Sequence, residues 1–155
     1  AGGVRVTGGV RPRIYFSASI SGGRDDAPRY AALIAALASH GSVLTERIGS
    51  PDLSDGGEAG PGDREIYARD VEWLREADVV IAEVTTPSLG VGYEVARAAL
   101  MGKPVVGLFR PESGRRLSAM IRGNPAVQVL EYASADPSED VARRAMAMTR
   151  PGRAG

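Results

Sequence analysis

The chain has 155 residues, enough for one domain with a hydrophobic core, and its 43% hydrophobic and 25% charged residues are ordinary proportions for a globular protein. Its 19 basic and 19 acidic residues cancel, so no net charge draws in a nucleic acid polymer or a membrane surface. Because the chain has no Cys and a single His, thiolate chemistry and multi-histidine metal sites are excluded, and we expect no metal or other cofactor.

The organisation along the chain indicates one domain between two loose ends. Residues 1–12 and 149–155 are rich in Gly, Pro and Arg without periodicity, so we predict flexible tails there and a single domain over residues 13–148. The sequence has no run of about 18 apolar residues and no signal-peptide pattern. We therefore expect a cytoplasmic or nuclear location and no membrane partner.

In chain order, short apolar runs alternate with amphipathic stretches, which is typical of βαβ units. The sequence therefore predicts an α/β fold with an open, parallel, five-stranded sheet flanked by helices. Ligands of such sheets bind beyond the carboxyl ends of the strands, so we expect the site in the loops after the first, third and fourth strands. The predicted strands are residues 14–18, 42–45, 79–84, 105–109 and 127–130, and the predicted helices include residues 63–77, 88–101 and 117–122, with a last helix after Asp136 and Pro137.

The first helix carries its own boundary signals. Asp26 can cap its N-terminus, Pro28 suits its first turn, and Gly41 ends it. His40 lies at the helix end, and we interpret it as a capping or solvated residue because cations are favoured there.

Two glycine-containing segments follow strands. In IYFSASISGGRDD, Gly22 and Gly23 let the backbone approach a ligand, and free amides beside Arg24 suit an anion, although a plain glycine turn explains the pattern equally well. In TTPSLGVGYE, Ser88, Gly90 and Gly92 place a hydroxyl and unhindered amides at a helix N-terminus, where the dipole favours phosphate.

Two carboxylates are candidates for chemistry. Glu94 is expected in the first turn of the third helix, where the ionised form that a nucleophile needs is favoured; the alternative is a Glu that only stabilises its helix dipole. Periodicity places Asp70 on a core-facing stripe with Ile66, Trp73 and Leu74, and we interpret Trp73 as a core residue. Burial would raise the pKa of Asp70 and suit it to general acid catalysis; a structural Asp bound to backbone or to an Arg is the alternative.

Two further features have open interpretations. Tyr15 on the first strand is either a core residue or a residue that reaches the same crevice. The stretch FRPESGRRLSAMIRG combines Arg110, Arg115, Arg116 and Ser118 around a short helix. It fits a solvated basic loop, part of a phosphate pocket or a subunit contact, and the pattern alone does not separate these.

Together, the segments IYFSASISGGRDD, RDVEWLREADVVIAEVTTPSLGVGYE and LFRPESGRRLSAMIRG resemble the 2′-deoxynucleoside 5′-monophosphate N-glycosidases, or N-hydrolases, within the wider nucleoside deoxyribosyltransferase group. The resemblance is collinear over about residues 13–132. It implies a flavodoxin-like, Rossmann-like sheet and a homodimer in which each active site takes residues from the partner subunit.

The resemblance also implies roles for residues. Glu94 of GVGYE matches the nucleophile, Asp70 before EWL matches the aspartate that assists the leaving base, and Tyr15 matches the tyrosine of the first strand. Ser118 is implied to reach the phosphate in trans from the partner subunit. The implied substrate-binding residues are Ser19, Ile20, Ser88, Gly90 and Ser118, and we expect Ser21, Gly22, Arg24 and Met120 to bind substrate as well.

Two positions depart from the family pattern. Ser21 stands where close members have an Arg before the glycine pair, and Ala18 stands where they have a Gly. Loss of the Arg removes a charge-assisted contact to phosphate unless Arg24 substitutes for it.

The function implied is hydrolysis of the N-glycosidic bond of 2′-deoxynucleoside 5′-monophosphates through a covalent glutamyl-sugar intermediate, by analogy with retaining glycosidases. A nucleoside 2-deoxyribosyltransferase is an alternative that would not need a phosphate pocket. A ribonucleotide hydrolase acting on CMP is another. A non-catalytic nucleotide-binding module would keep the glycine loops but have no use for a pair formed by Glu94 and Asp70.

Overall fold

The computed structural model describes residues 10–20, 26–45 and 62–151. The first strand begins at Arg13 and the last helix ends at Met148, and the single-domain organisation and flexible tails stay predictions. A short 3-10 turn, Pro111–Ser113, was not predicted. The described elements are β1 (Arg13–Ser17), α1 (Ala27–Ala38), β2 (Ser42–Val43), α2 (Asp63–Glu76), β3 (Val79–Glu83), α3 (Leu89–Leu100), β4 (Val105–Phe109), α4 (Ala119–Arg122), β5 (Val127–Glu131) and α5 (Ser138–Met148).

The five strands form one parallel sheet in the order β2-β1-β3-β4-β5. This is the flavodoxin-like order of doubly wound sheets, so the predicted fold class is confirmed. The chain changes direction of winding between β1 and β3, where Ile14 pairs with Val79 and Ser17 with Ala82. The carboxyl ends of these two central strands therefore border the crevice in which such folds bind ligands.

Hydrophobic clusters cover both faces of the sheet. One cluster joins the sheet to α1 and α5, and the other joins it to α2 and α3. β3 and β4 are buried along their whole length, as their continuous apolar runs predict. Alternation along β1 places Phe16 in the first cluster and Tyr15 in the second, so the side chains of Tyr15 and Ser17 face α2 and α3. In the described ranges, no helix has the length and apolar character needed to span a membrane.

Side chains explain where two element boundaries differ from prediction. β2 ends at Val43 rather than at residue 45, because the hydroxyl of Thr45 accepts a hydrogen bond from the backbone N–H of Phe16 at 2.9 Å and donates to its carbonyl. α4 begins at Ala119 rather than at residue 117, because Leu117 is buried against the sheet and Ser118 caps the helix.

The prediction that the Asp26 side chain caps α1 is wrong. Asp26 occupies the N-cap position without a capping hydrogen bond, and its Oδ2 instead accepts from Arg110 Nη2 at 2.7 Å. Arg110 is buried and its Nε lies 3.8 Å from Glu83 Oε2. Arg110 is therefore not part of a solvated loop, since it joins the end of β4 to the start of α1.

Candidate active site

Glu94 is the central side chain of the crevice beside β1. Its helix, α3, begins at Leu89 and has no acidic residue in its first turn, so Glu94 lies in the second turn. The expectation that it occupies the first turn is therefore wrong. The helix dipole acts mainly over the first turn, and burial has the larger effect on this carboxyl group.

Two hydroxyl groups from β1 hold Glu94. Ser17 Oγ donates a hydrogen bond to Glu94 Oε2 at 2.6 Å, and the phenol of Tyr15 donates another to the same carboxyl group. Tyr15 and Ser17 are alternate residues of one strand, so both side chains leave the same face of the sheet. Both residues are fully buried, which fixes the two donors in place.

The pKa of Glu94 is raised from its ordinary value of 4.5 to about 7. Burial is the main cause and the negative charge of Asp70 adds to it, whereas hydrogen bonds from Ser17 and Tyr15 oppose the rise. Near neutral pH, a substantial fraction of the carboxyl group is therefore ionised. Burial and the charges of Glu94 and Asp70 also raise the pKa of Tyr15 well above its usual range. Tyr15 thus remains a neutral donor to the carboxylate.

Asp70 in α2 lies close enough to act on both Glu94 and Tyr15. The prediction that its side chain is buried on the core-facing stripe is wrong, because 25% of it is exposed, while Val71 and Leu74 fill the core. Arg69 Nε donates to Asp70 Oδ1 at 3.1 Å, and the guanidinium stacks over Trp73 at 4.7 Å from the ring centroid. Asp70 is thus bound to an Arg, as expected of a structural Asp. It also lies beside Glu94 and Tyr15, as expected of a general acid.

The N-terminus of α3 has the open backbone that the glycine pattern predicts. Ser88 is the N-cap residue, and its Oγ accepts from Val91 N at 3.3 Å. A Cβ at Gly92 would meet no atom within 4 Å, and one at Gly90 would meet only Ser88 Oγ at 3.8 Å. Packing therefore does not require these glycines. As at any helix N-terminus, the first backbone amides of α3 have no carbonyl acceptor within the helix.

The other predicted binding residues lie in three places. Ser19 is fully buried and Ile20 partly buried just beyond β1, while Ser21, Gly22 and Arg24 lie outside the described residues. Ser118 is the exposed N-cap of α4, where its Oγ accepts from Met120 N at 3.2 Å. The side chain of Met120 is 81% exposed.

α4 lies on the same side of the sheet as α3, since Leu117 and Ile121 pack in the cluster that contains Tyr15. The structure brings Tyr15, Asp70 and Glu94 together. Ser118 and Met120 instead face solvent.

Sequence reasoning missed two residues of this group, Ser17 and Arg69. Alternation along β1 gives a signal for Ser17, because it must share the face of Tyr15. Arg69 precedes Asp70 directly, but helix periodicity gives no reason for adjacent side chains to pair. Across the described ranges, no three His, Asp or Glu residues form a group that could hold a metal ion.

The sequence is closely similar to named enzymes. A family model described as nucleoside 2-deoxyribosyltransferase matches residues 14–139. The 5-hydroxymethyl-dUMP N-hydrolase of Tetraodon nigroviridis is 61% identical over 112 residues, which cover 72% of this chain and 79% of that protein. The 5-hydroxymethyl-dUMP N-hydrolase of Homo sapiens is 54% identical over 114 residues, which cover 73% of this chain and 66% of that protein.

A solved structure shares the fold. The CMP N-glycosidase of Clostridium botulinum has a TM-score of 0.61 with this chain, at 18% identity, over 87% of this chain and 98% of that one. At this identity the likeness shows the fold alone, whereas the family model spans most of the sequence. The chain therefore belongs to the nucleoside 2-deoxyribosyltransferase family.

Proposed function

We propose that this chain hydrolyses the N-glycosidic bond of 2′-deoxynucleoside 5′-monophosphates to a free base and 2-deoxyribose 5-phosphate. The observation that carries the proposal is the carboxyl group of Glu94, held by Tyr15 and Ser17 beside Asp70 in the crevice. The relatives from Tetraodon nigroviridis and Homo sapiens, at 61% and 54% identity, carry the name 5-hydroxymethyl-dUMP N-hydrolase, which supports this reaction and substrate class.

Cleavage needs an anionic group that faces C1′ and a proton for the leaving base. In the proposed first step, ionised Glu94 bonds to C1′ while the bond from C1′ to the base nitrogen breaks, and its electron pair leaves with the base. Asp70, in its protonated form, gives its proton to the leaving base. In the second step, water replaces Glu94 at C1′ and gives a proton back to Asp70. The arrangement of the two carboxyl groups around Tyr15 supports these roles.

We assign Tyr15 two tasks. Its neutral phenol holds Glu94 by a hydrogen bond, and a carboxylate oxygen that accepts one hydrogen bond retains a lone pair for attack. Its fixed position beside the nucleophile also crowds the place that a 2′-hydroxyl would occupy. This crowding is our explanation for a preference for deoxyribose.

We assign the 5′-phosphate to the N-terminus of α3. Helix N-termini bind phosphate through their free amides and their dipole, and Gly90 leaves this end open. Ser88 contributes a hydroxyl whose other role is to cap the helix. The buried Ser19, and the segment with Ser21, Gly22 and Arg24 that follows it in sequence, are proposed to complete the pocket.

We further propose a homodimer in which Ser118 of each chain reaches the phosphate bound by its partner. Large apolar side chains are exposed on the helices of the α3 side of the sheet: Leu89 is 96% exposed, Leu100 90% and Met120 81%. Tyr67 and Tyr93 add to this surface, and their hydroxyls lie 3.2 Å apart. Exposed apolar surface of this kind is characteristic of a protein interface, and α4 with Ser118 lies on the same side.

Deoxyribosyl transfer is the second candidate, because the matched family model is described as a 2-deoxyribosyltransferase. Both reactions share the first step and differ in the acceptor. The test is to incubate the enzyme and 5-hydroxymethyl-dUMP with and without an excess of a second free base and to separate the products. Hydrolysis predicts that 2-deoxyribose 5-phosphate accumulates in equal amounts in both reactions. Formation of a nucleotide that carries the second base, in place of the sugar phosphate, would establish transfer instead.

A further inference from the structure

We infer that Ser17 is a positioning residue that keeps the carboxyl group of Glu94 in its ionised, attacking form. This inference deepens the proposed function and depends on it for the role of Glu94. It stands on geometry, because Ser17 Oγ donates to Glu94 Oε2 at 2.6 Å from the end of a central strand.

The surroundings of Ser17 make this hydrogen bond effective. Ser17 has no exposed surface, so water does not compete for its hydroxyl. A hydrogen bond in a poorly hydrated environment is electrostatically stronger than the same bond in water. A hydroxyl can stabilise a carboxylate by donation, and losing this donor leaves a charged oxygen without one of its partners.

In the part of the chain that the structure describes, few charged and titratable groups face Glu94. Asp70 from α2 opposes its ionisation, and Tyr15 from β1 supports it by a hydrogen bond. Arg69 is engaged with Asp70. Among the causes that act on Glu94, the Ser17 hydrogen bond is the largest one that favours the charged form, ahead of the Tyr15 bond. Ser17 therefore offsets part of the effect of burial.

The test follows the side-chain carboxyl carbon of Glu94 by NMR as pH is varied, without substrate. The resonance is assigned by its loss in Glu94→Gln. We expect a midpoint near 7 in the parent protein and a midpoint about one unit higher in Ser17→Ala, since a hydrogen bond to the charged form shifts a pKa by this order. Ser17→Cys keeps the size of the side chain but is a weak donor, so its midpoint should fall between the two.

Thr45→Val is the matched control. It also removes a buried hydroxyl that is hydrogen-bonded to β1, but that hydroxyl contacts the backbone of Phe16 and not Glu94. This variant should lose stability and leave the midpoint of Glu94 unchanged. A midpoint in Ser17→Ala within about 0.3 units of the parent, or an equal shift in Thr45→Val, would overturn the inference.

Kinetics provide the second measurement. In Ser17→Ala, kcat/KM for base release should fall roughly ten-fold at pH 6 and approach the parent value near pH 9, because only the ionised fraction of Glu94 differs. A merely structural defect would instead lower the rate by the same factor at every pH. The NMR titration reads Glu94 without turnover, so failure of this inference is distinguishable from failure of the proposed reaction, which would appear as no base release by the parent enzyme.

Discussion

At the scale of single residues, the candidate site holds a carboxyl group in an unfavourable environment. Burial raises the pKa of Glu94 to about 7, although attack on C1′ requires the ionised form. A desolvated anion at a fixed position is a stronger nucleophile than a hydrated one that must first reorganise, so this environment is consistent with catalysis. Two measurable consequences follow from it, one for activity and one for stability.

Glu94→Gln should reduce base release roughly 1,000-fold or more while the fold remains intact, because an uncharged amide cannot form the ester with C1′. The measurement is the rate of base release by a variant whose circular dichroism matches that of the parent. Turnover within a few-fold of the parent rate would remove Glu94 from the proposed role.

The same substitution should stabilise the protein in alkaline solution. Because the folded pKa of Glu94 is above its ordinary value of 4.5, the folded state binds more protons than the unfolded state between about pH 4.5 and 7, and stability falls as pH rises through this window. Glutamine has no such dependence. The free energy of unfolding of Glu94→Gln relative to the parent should therefore increase by about 2 kcal/mol between pH 5 and pH 8.

Urea unfolding at a fixed protein concentration measures this difference. Glu139→Gln, which changes an exposed carboxylate in α5, is the control and should show little change across the same pH range. If the two variants respond alike to pH, then Glu94 does not titrate with a raised pKa.

The sequence predicts Glu94, Asp70 and Tyr15 as site residues, and the structure brings them together. Sequence patterns did not predict how deeply each side chain is buried. Helix periodicity predicts a buried Asp70, but the side of a helix that borders a crevice stays partly exposed. Arg69 binds Asp70 at this exposed edge. The partner of Arg110 could not be predicted either, because Asp26 lies 84 positions away in sequence. Contacts of this kind depend on how the strands are ordered, which single-residue patterns do not encode.

At the level of elements, the number, type and placement of the strands and helices follow well from the sequence, while element ends do not. The buried runs of β3 and β4 and the amphipathic helices between strands were sufficient to predict a parallel sheet. β2 is shorter than predicted because Thr45 bonds to the backbone of β1 through its side chain, which an apolar run cannot reveal. The N-terminus of α3 is the element on which the phosphate proposal depends.

Gly90→Ala should weaken binding of the phosphorylated substrate at the N-terminus of α3 without lowering the stability of the protein. The added methyl group meets only Ser88 Oγ at 3.8 Å, and replacing Gly by Ala within a helix stabilises it by about 0.5–1 kcal/mol. The same methyl group obstructs a phosphate at the helix end, so KM for the 5′-monophosphate should rise roughly ten-fold or more through loss of charged hydrogen bonds.

Gly92→Ala is the matched variant, since its Cβ meets no atom within 4 Å and its amide already bonds to Ser88 O at 3.1 Å. Both variants should melt at or above the parent temperature, and the larger rise in KM should belong to Gly90→Ala. Unchanged KM in Gly90→Ala would remove the phosphate from this helix end.

At the scale of the whole molecule, the site of one chain is proposed to be completed by another. Ser118→Ala should weaken binding of the phosphorylated substrate roughly ten-fold, the effect expected for one hydrogen bond to a charged group. Mixing Glu94→Gln and Ser118→Ala chains should then raise activity above that of either variant after subunits exchange, because each heterodimer contains one site with neither substitution.

Two outcomes would contradict the shared site. Activity that does not recover on mixing, under conditions where exchange is verified, would place Ser118 in the site of its own chain or outside it. A fully active protein that sediments as a monomer would show that the exposed apolar side chains on α3 do not form a dimer interface needed for activity.

Chromatography of the free bases released from matched substrates tests the proposed hydrolysis most directly. The panel comprises 2′-deoxynucleoside 5′-monophosphates with 5-hydroxymethyl-dUMP among them, the same compounds without phosphate, and the corresponding ribonucleotides. We predict base release from the deoxynucleoside 5′-monophosphates, at least about ten-fold slower release without the phosphate or with a 2′-hydroxyl, and none above background by Glu94→Gln. Equal release from phosphorylated and unphosphorylated deoxynucleosides, or no release from any 5′-monophosphate, would contradict it.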